Sequence, residues 1–337
     1  MRFLLTDEQR AFGDSLDAML TSADTPAAAR AWAAGDPAPG LALWSRLAEA
    51  GVFALAAPQA YEGVGPLPVE LAVAFTALGR HAVPGPVVET VAAAALLTRL
   101  AESGEAGPAK RLLPGLVTGE STATLAGGRG AYALDADAAD VTLVVSEEGA
   151  GPWPGADRSA RLCIAHGHGP VRVSADPARR LAVPAAGGEV IAEGRQVARA
   201  AAYAGDVARL VTAAQALGVG RALLDRTVAY VKQRTQFGTP IGSFQAVKHR
   251  LADTLIGLEF ARPLLYGAAL SMAPADIAAA KVTAGEAAYA AARTALQLHG
   301  AIGYTEELDL SLWLRKARPL RDAWGTPALC RATVLAG

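Results

Sequence analysis

The chain has 337 residues, 52% of them hydrophobic and 19% charged, a balance that gives a well-buried globular protein and excludes disorder. Lys and Arg number 31 against 32 Asp and Glu, so a net charge of -1 leaves no global field for nucleic acid or an acidic membrane, and partners must be recognised locally. Two cysteines, Cys163 and Cys330, are too few for a disulfide framework and show no metal spacing, which fits a reducing compartment and makes the cytoplasm the expected location. The start, MRFLLTDEQRAFGDSL, lacks the basic region, long apolar core and cleavage site of a secretory signal, and no uninterrupted apolar window reaches the length of a membrane span.

Taken in order, the chain opens with a helix from Thr6. Thr6 can cap the free amides, Asp7 and Glu8 suit the positive helix start, and Phe12, Leu16 and Leu20 fall on one face. Residues 22–40 are rich in Pro, Gly and Ala and predict a loop with a helical piece. LALWSRLAEAG puts Leu43, Leu47 and Ala50 on one stripe and stops at Gly51. Helices follow over 71–80, 87–102 and 107–117, so one helical domain covers residues 1–118.

Over residues 119–198 the helical period gives way to β-prone runs, VTLVVS, RLCIAH and VRVSA, separated by Gly, Pro and Asp turns, which predicts a small β middle domain. GGRG at 127–130 lacks a following Lys-Ser/Thr pair and reads as a flexible turn, not a phosphate loop. Helices return for residues 199–337. Asp206 is the expected cap of a long helix with Val207, Leu210, Val211, Ala214, Leu217, Leu224, Val228 and Val231 at helical spacing. Ser243 is the expected cap of the next, with Val247, Leu251, Leu255 and Leu258 on its buried side. A slender alanine-rich helix over 276–298 ends at Gly300, and a fourth runs from Thr305 toward Arg321. Four antiparallel helices with small residues at their contacts predict a four-helix bundle that packs closely against another chain.

Two stretches carry chemistry. In AYVKQRTQFGTPIGSFQAVKHRLAD, residues 229–253, Lys232 and Arg234 sit at the negative end of a helix, and Gly238, Pro240 and Gly242 break it before Phe244. The turn presents Arg234, Gln236 and Phe237. A guanidinium fork grips phosphate oxygens, an amide reads polar edges, and a phenyl ring packs on a flat base. The same spacing also suits a solvated Arg at a helix end and a core Phe. In QLHGAIGYTEELDL, residues 297–310, Gln297 can donate and accept, while Gly300 and Gly303 allow close backbone approach. Ordinary C-capping by Gly300 and a structural His299 account for the same residues.

Both stretches resemble the C-terminal domain of the acyl-CoA dehydrogenases, flavoenzymes that desaturate acyl-CoA thioesters, and VFALAAPQAYEGVGPLPVE resembles their N-terminal segment, with Tyr61-Glu62-Gly63-Val64-Gly65 lacking the family's double glycine. The resemblance implies a mainly α fold with a small β middle domain: an N-terminal helical domain, a reduced β domain and a C-terminal four-helix bundle. It implies FAD shared across a subunit interface, its adenosine diphosphate half held by Arg234, Gln236, Phe237, Ile241, Gln245, Gln297, Gly300 and Ala301. No metal-ligand, nucleic-acid or lipid-anchor motif appears in the sequence.

The chain departs from the family where the family does its chemistry. No Thr-Glu-Pro with a following Gly-Ser-Asp, the usual flavin grip, occurs between Ser121 and Arg199. Removing an α proton while hydride leaves the β carbon needs a carboxylate, and the family's two base positions fall on Trp324 and Ala208. Of the carboxylates nearby, Glu306, Glu307, Asp309 and Asp322, the last lies two residues from the vacated position and is the candidate substitute. A missing base and flavin grip beside a retained adenosine grip resemble the non-base subunit of heteromeric bacterial acyl-CoA dehydrogenases, enzymes of bulky acyl-CoA thioesters including steroid side-chain intermediates. That resemblance implies a partner subunit of the same family. The alternatives are a homodimeric dehydrogenase with Asp322 as base, a flavin-independent hydratase or dehydratase of acyl thioesters, and a non-enzymatic assembly module.

Overall fold

The structure, a computed structural model, describes residues 4–127, 131–146 and 158–336, so most of the GGRG turn lies outside the described residues. In chain order the elements are helices α1 (Asp7–Thr21), α2 (Thr25–Ala33), α3 (Ala38–Glu49), α4 (Pro68–Arg80), α5 (Val87–Glu102) and α6 (Ala106–Thr118), then strands β1 (Ala123–Gly127), β2 (Ala133–Leu134), β3 (Val141–Ser146), β4 (Ala160–Ile164), β5 (Arg172–Val173), β6 (Arg180–Ala182) and β7 (Glu189–Gly194). Helix α7 (Arg195–Gln233), the two-residue strands β8 (Thr235–Gln236) and β9 (Thr239–Pro240), and helices α8 (Gln245–Ser271), α9 (Pro274–His299), α10 (Leu310–Asp322) and α11 (Pro327–Ala336) complete it. The mainly α fold with a small β region is therefore as expected. Thr6 caps α1 with a complete capping box, its hydroxyl accepting from Gln9 N while the Gln9 side chain accepts from Thr6 N.

The described residues fall into two compact units, one within 27–71 and 84–208 and the other within 4–26, 72–83 and 209–336. In the first, α5 packs on α6 and on β1, and the sheet has strand order β1-β3-β4-β7 beside a three-stranded β2-β6-β5. β1 and β3 run parallel, in register from Ala123↔Val141 to Gly127↔Val145, and β4 is antiparallel to both its neighbours. The Thr90 hydroxyl both donates to Ala123 O at 2.7 Å and accepts from Ala123 N at 3.0 Å, fixing α5 to the start of β1.

In the second unit α9 is the axis against which α8, α10 and α11 pack. Its core is built from small side chains, Ala216, Ala222, Ala288, Ala291, Ala292 and Ala295, closed by Trp313 and Leu320. Alanine at the contacts lets helix backbones approach, which is how an alanine-rich sequence reaches interior packing density. The approach is close where α4 meets α7. A Cβ on Gly79 would stand 2.0 Å from the Gln215 carbonyl oxygen, and one on Gly218 would stand 2.0 Å from that of Thr76. Gly218→Ala forces the two backbones apart, and we expect a loss of roughly 1–3 kcal/mol, read as a lower thermal midpoint.

Four expectations are corrected. Asp206 caps nothing, because α7 begins eleven residues earlier, at Arg195, directly after β7. Ser243 does not cap α8: Phe244 holds that position without a side-chain bond, and the Ser243 hydroxyl is turned back to Pro240 O at 2.7 Å. Leu255 lies exposed on α8 while Leu258 is buried. The fourth helix begins at Leu310, after a 3₁₀ turn over Gly300–Tyr304, and α11 adds a fifth helix to the bundle. Helix α7 is long and apolar enough to cross a membrane, but 89% of its most apolar window is buried inside the protein, as befits a core helix.

Candidate functional site

Helix α7 ends with Lys232 in its last turn, and the chain reverses at once in the β8–β9 hairpin, with Thr235 opposite Pro240 and Gln236 opposite Thr239. The two central residues, Phe237 and Gly238, both have positive φ, 54° and 79°, as two-residue hairpins of this kind require. A phenylalanine in that region is uncommon. Its ring is 91% exposed and meets the edge of Phe244 at 6.3 Å between centroids. The hairpin is closed by Ile241 N donating to Arg234 O at 2.8 Å and tied to the helix by Arg234 N donating to Tyr230 O at 2.9 Å. Arg234, Gln236 and Gln245 are exposed and Ile241 is half-buried. No carboxylate pairs with Arg234 among the described residues.

The second stretch leaves α9 at its C-terminus. Gln297 is exposed, and Gly300 turns the chain with φ 63° and ψ -140°. Nothing lies within 4 Å of where a Gly300 Cβ would be, so the backbone at Gly300 and the exposed Ala301 is open to a ligand. Gly303, in contrast, is packed, 3.1 Å from the His299 Cβ at its own Cβ position. The two stretches meet through Tyr230 and His299, whose rings stack at 4.2 Å with planes 22° apart. Burial holds the His299 pKa below the ordinary value, with its bond to Ala295 O opposing, which favours the neutral ring.

An exposed guanidinium without a partner, exposed amides, a solvent-facing phenyl ring and open backbone at Gly300 suit a dinucleotide's pyrophosphate and base. The residues named for the FAD adenosine half therefore fit that group.

At Trp324, where the family base is expected, the side chain is half-buried, the backbone has φ 57°, and the carbonyl accepts from Arg209 Nε at 3.0 Å. Around it, the Lys281 amine, 1% exposed, donates to Leu320 O at 2.9 Å, Arg321 O at 2.8 Å and Gly325 O at 3.5 Å. These are carbonyls at and beyond the end of α10, so one ammonium satisfies acceptors the helix leaves open. Lys281 was not anticipated, and a lysine set among alanines was its signal. Asp322 binds Arg318 at 3.1 Å and approaches Arg321 at 3.6 Å. Glu306 pairs with Arg315, and Ala208 is fully buried in α7.

The N-terminal and C-terminal domain models of the acyl-CoA dehydrogenases match residues 6–120 and 193–337. The chain is 31% identical over 313 residues to acyl-CoA dehydrogenase IpdE2 of Mycobacterium tuberculosis, covering 92% of this chain and 91% of that one. It thus belongs to the acyl-CoA dehydrogenase family. Among solved structures it superposes on a Tcur3481-Tcur3483 steroid ACAD variant with TM-score 0.81 and 25% identity, over 98% of this chain and 97% of that one. It superposes on a chain of the ChsE4-ChsE5 complex from Mycobacterium tuberculosis with TM-score 0.79 and 23% identity, over 100% and 98%.

Proposed function

We propose that this protein is the non-base subunit of a cytoplasmic, FAD-dependent acyl-CoA dehydrogenase and completes the FAD site of a partner subunit of its own family. The observation that carries this is the contrast within one unit: the hairpin at Arg234 and the end of α9 at Gly300 are built, joined and open, while the turn at Trp324 holds no carboxylate. FAD, when bound, supplies the acceptor for the hydride lost by the acyl thioester. Arg234 would clamp its pyrophosphate, Phe237 would offer a ring to its adenine, Gln236, Gln245 and Gln297 would meet polar edges, and Ile241 would line the apolar side. Backbone N–H groups at Gly300 and Ala301 supply donors that need close approach. The flavin ring, the acyl-CoA and the proton-removing glutamate belong to the partner.

Helix α8, which begins at Gln245, supports the partner. It exposes Leu255, Ile256, Phe260, Leu264 and Leu270 to solvent, more apolar surface than a helix facing water carries. Likeness to a steroid ACAD built under two names points to a bulky acyl-CoA as substrate.

The test is a visible absorption spectrum of the purified chain, alone and co-expressed with an acyl-CoA dehydrogenase-like partner. Flavin appears only in the co-purified complex, at about one FAD per unlike pair on the shared-site arrangement. A lone chain that is yellow and bleaches with an acyl-CoA would overturn the proposal and make Asp322 the residue to replace.

A further inference from the structure

The two nucleotide-gripping stretches leave their helices at points that touch. On the α7 side, Tyr230 O accepts from Arg234 N at 2.9 Å, so Tyr230 is the last helical residue to hold the hairpin's first. On the α9 side, the Tyr230 hydroxyl donates to His299 O at 3.4 Å, the carbonyl immediately before the positive-φ Gly300. The rings of Tyr230 and His299 stack at 4.2 Å. His299 is fixed in turn from both sides. Its Nδ1 donates to Ala295 O at 2.8 Å, one helical turn back, and Gly303 packs onto its Cβ.

We propose that Tyr230 and His299 are positioning residues that set the separation of Arg234 from Gln297, Gly300 and Ala301, so that both ends of one dinucleotide half are met at once. This rests on the assignment of those stretches to FAD made above. Neither side chain touches the ligand. Each determines where a gripping segment starts, and the stacked pair makes the two starts one rigid body. A flat phenol on a neutral imidazole holds its geometry better than aliphatic side chains of the same bulk, because stacking is directional. Pre-setting two contact groups removes an ordering cost that the ligand would otherwise meet on binding.

The experiment is an FAD titration of the flavin-stripped complex with its partner subunit, followed by flavin fluorescence. Tyr230→Leu and His299→Leu each weaken FAD about three- to tenfold, and Tyr230→Phe, which keeps the stack, stays within about twofold. Combined with Arg234→Ala, Tyr230→Leu adds less than its separate effect, since it acts through the placement of Arg234, whereas a general folding defect adds in full. If Arg234→Ala weakens FAD but both leucine variants bind it as wild type, or if the double variant is additive, the bracket is refuted and the FAD assignment stands. If Arg234→Ala itself leaves FAD affinity unchanged, the assignment fails and the bracket with it. Should Tyr230→Leu not assemble with the partner, His299→Leu, alone and combined with Arg234→Ala, decides.

Discussion

On the proposed assignment, Arg234→Ala is expected to lower the affinity of the complex with the partner subunit for FAD by about ten- to hundredfold while leaving the chain folded. The magnitude follows from what a guanidinium does at a pyrophosphate. Its charge-assisted hydrogen bonds contribute about 1.5–3 kcal/mol together when the geometry is bidentate, and every 1.4 kcal/mol is about a factor of ten. The selectivity follows from the site. Arg234 is exposed, pairs with no carboxylate among the described residues, and joins the fold through its backbone, whose N–H and carbonyl are bound to Tyr230 and Ile241. Removing its side chain beyond Cβ therefore breaks no bond that the fold uses. Arg234→Lys recovers only part of the affinity, because an ammonium is a point charge without the planar fork. The loss shrinks as salt is raised, since the contact is electrostatic and lies at the surface. An FAD titration at two ionic strengths measures all three effects. Wild-type affinity in Arg234→Ala would remove the nucleotide from this hairpin.

Much of the local structure of this candidate site was legible because it is set by neighbouring residues. The order Arg234, Gln236, Phe237, Gly238, Pro240 is a chain reversal written in turn residues, and the structure makes it a two-residue hairpin. The long-range part was not legible. That Tyr230 stacks on His299, 69 positions away, cannot be read from either neighbourhood. For the same reason nothing near Lys281 in the sequence announces its burial, because the three carbonyls that hold it lie about 40 residues on. The helices fared better than their ends. Hydrophobic spacing placed α4, α5, α6 and α9 within a few residues. Capping chemistry misled at Asp206 because β7 delivers the chain straight into α7, and the helix is set by what it packs against, not by a cap. Leu255 was misassigned because α8 is apolar on more than one side, and only the packing of α9 chooses which side is buried.

Asp135→Asn stabilises the protein, and does so only above mildly acidic pH. Asp135 follows β2 with φ 54° and is 0% exposed. Its Oδ1 accepts from Arg180 N at 3.1 Å, and its own N–H donates to Arg180 O at 2.6 Å. Oδ2 accepts no hydrogen bond of ordinary geometry, although the Trp32 indole lies close enough to favour its charge. Burial pushes its pKa from 3.8 up to about 7, with the charge of Glu89 adding to the rise, and the Trp32 indole, the Arg180 N–H and the charge of Arg179 opposing it. Because the folded value lies above the unfolded one, the native state binds the extra proton between pH 3.8 and about 7. Stability therefore falls as pH rises through that window, and the full cost is present above it. At about 1.4 kcal/mol per pH unit the displacement corresponds to an upper bound of about 4 kcal/mol. Asparagine keeps the acceptor for Arg180 N–H, tolerates the left-handed backbone and has no charge to desolvate. We expect Asp135→Asn to gain about 2–4 kcal/mol at about pH 8 and to change little at about pH 4, where the aspartic acid is already protonated in the native state. Thermal midpoints of wild type and variant at the two pH values separate the outcomes. An equal gain at both would assign the effect to packing, and no gain at the higher pH would mean that the Asp135 carboxyl ionises without strain.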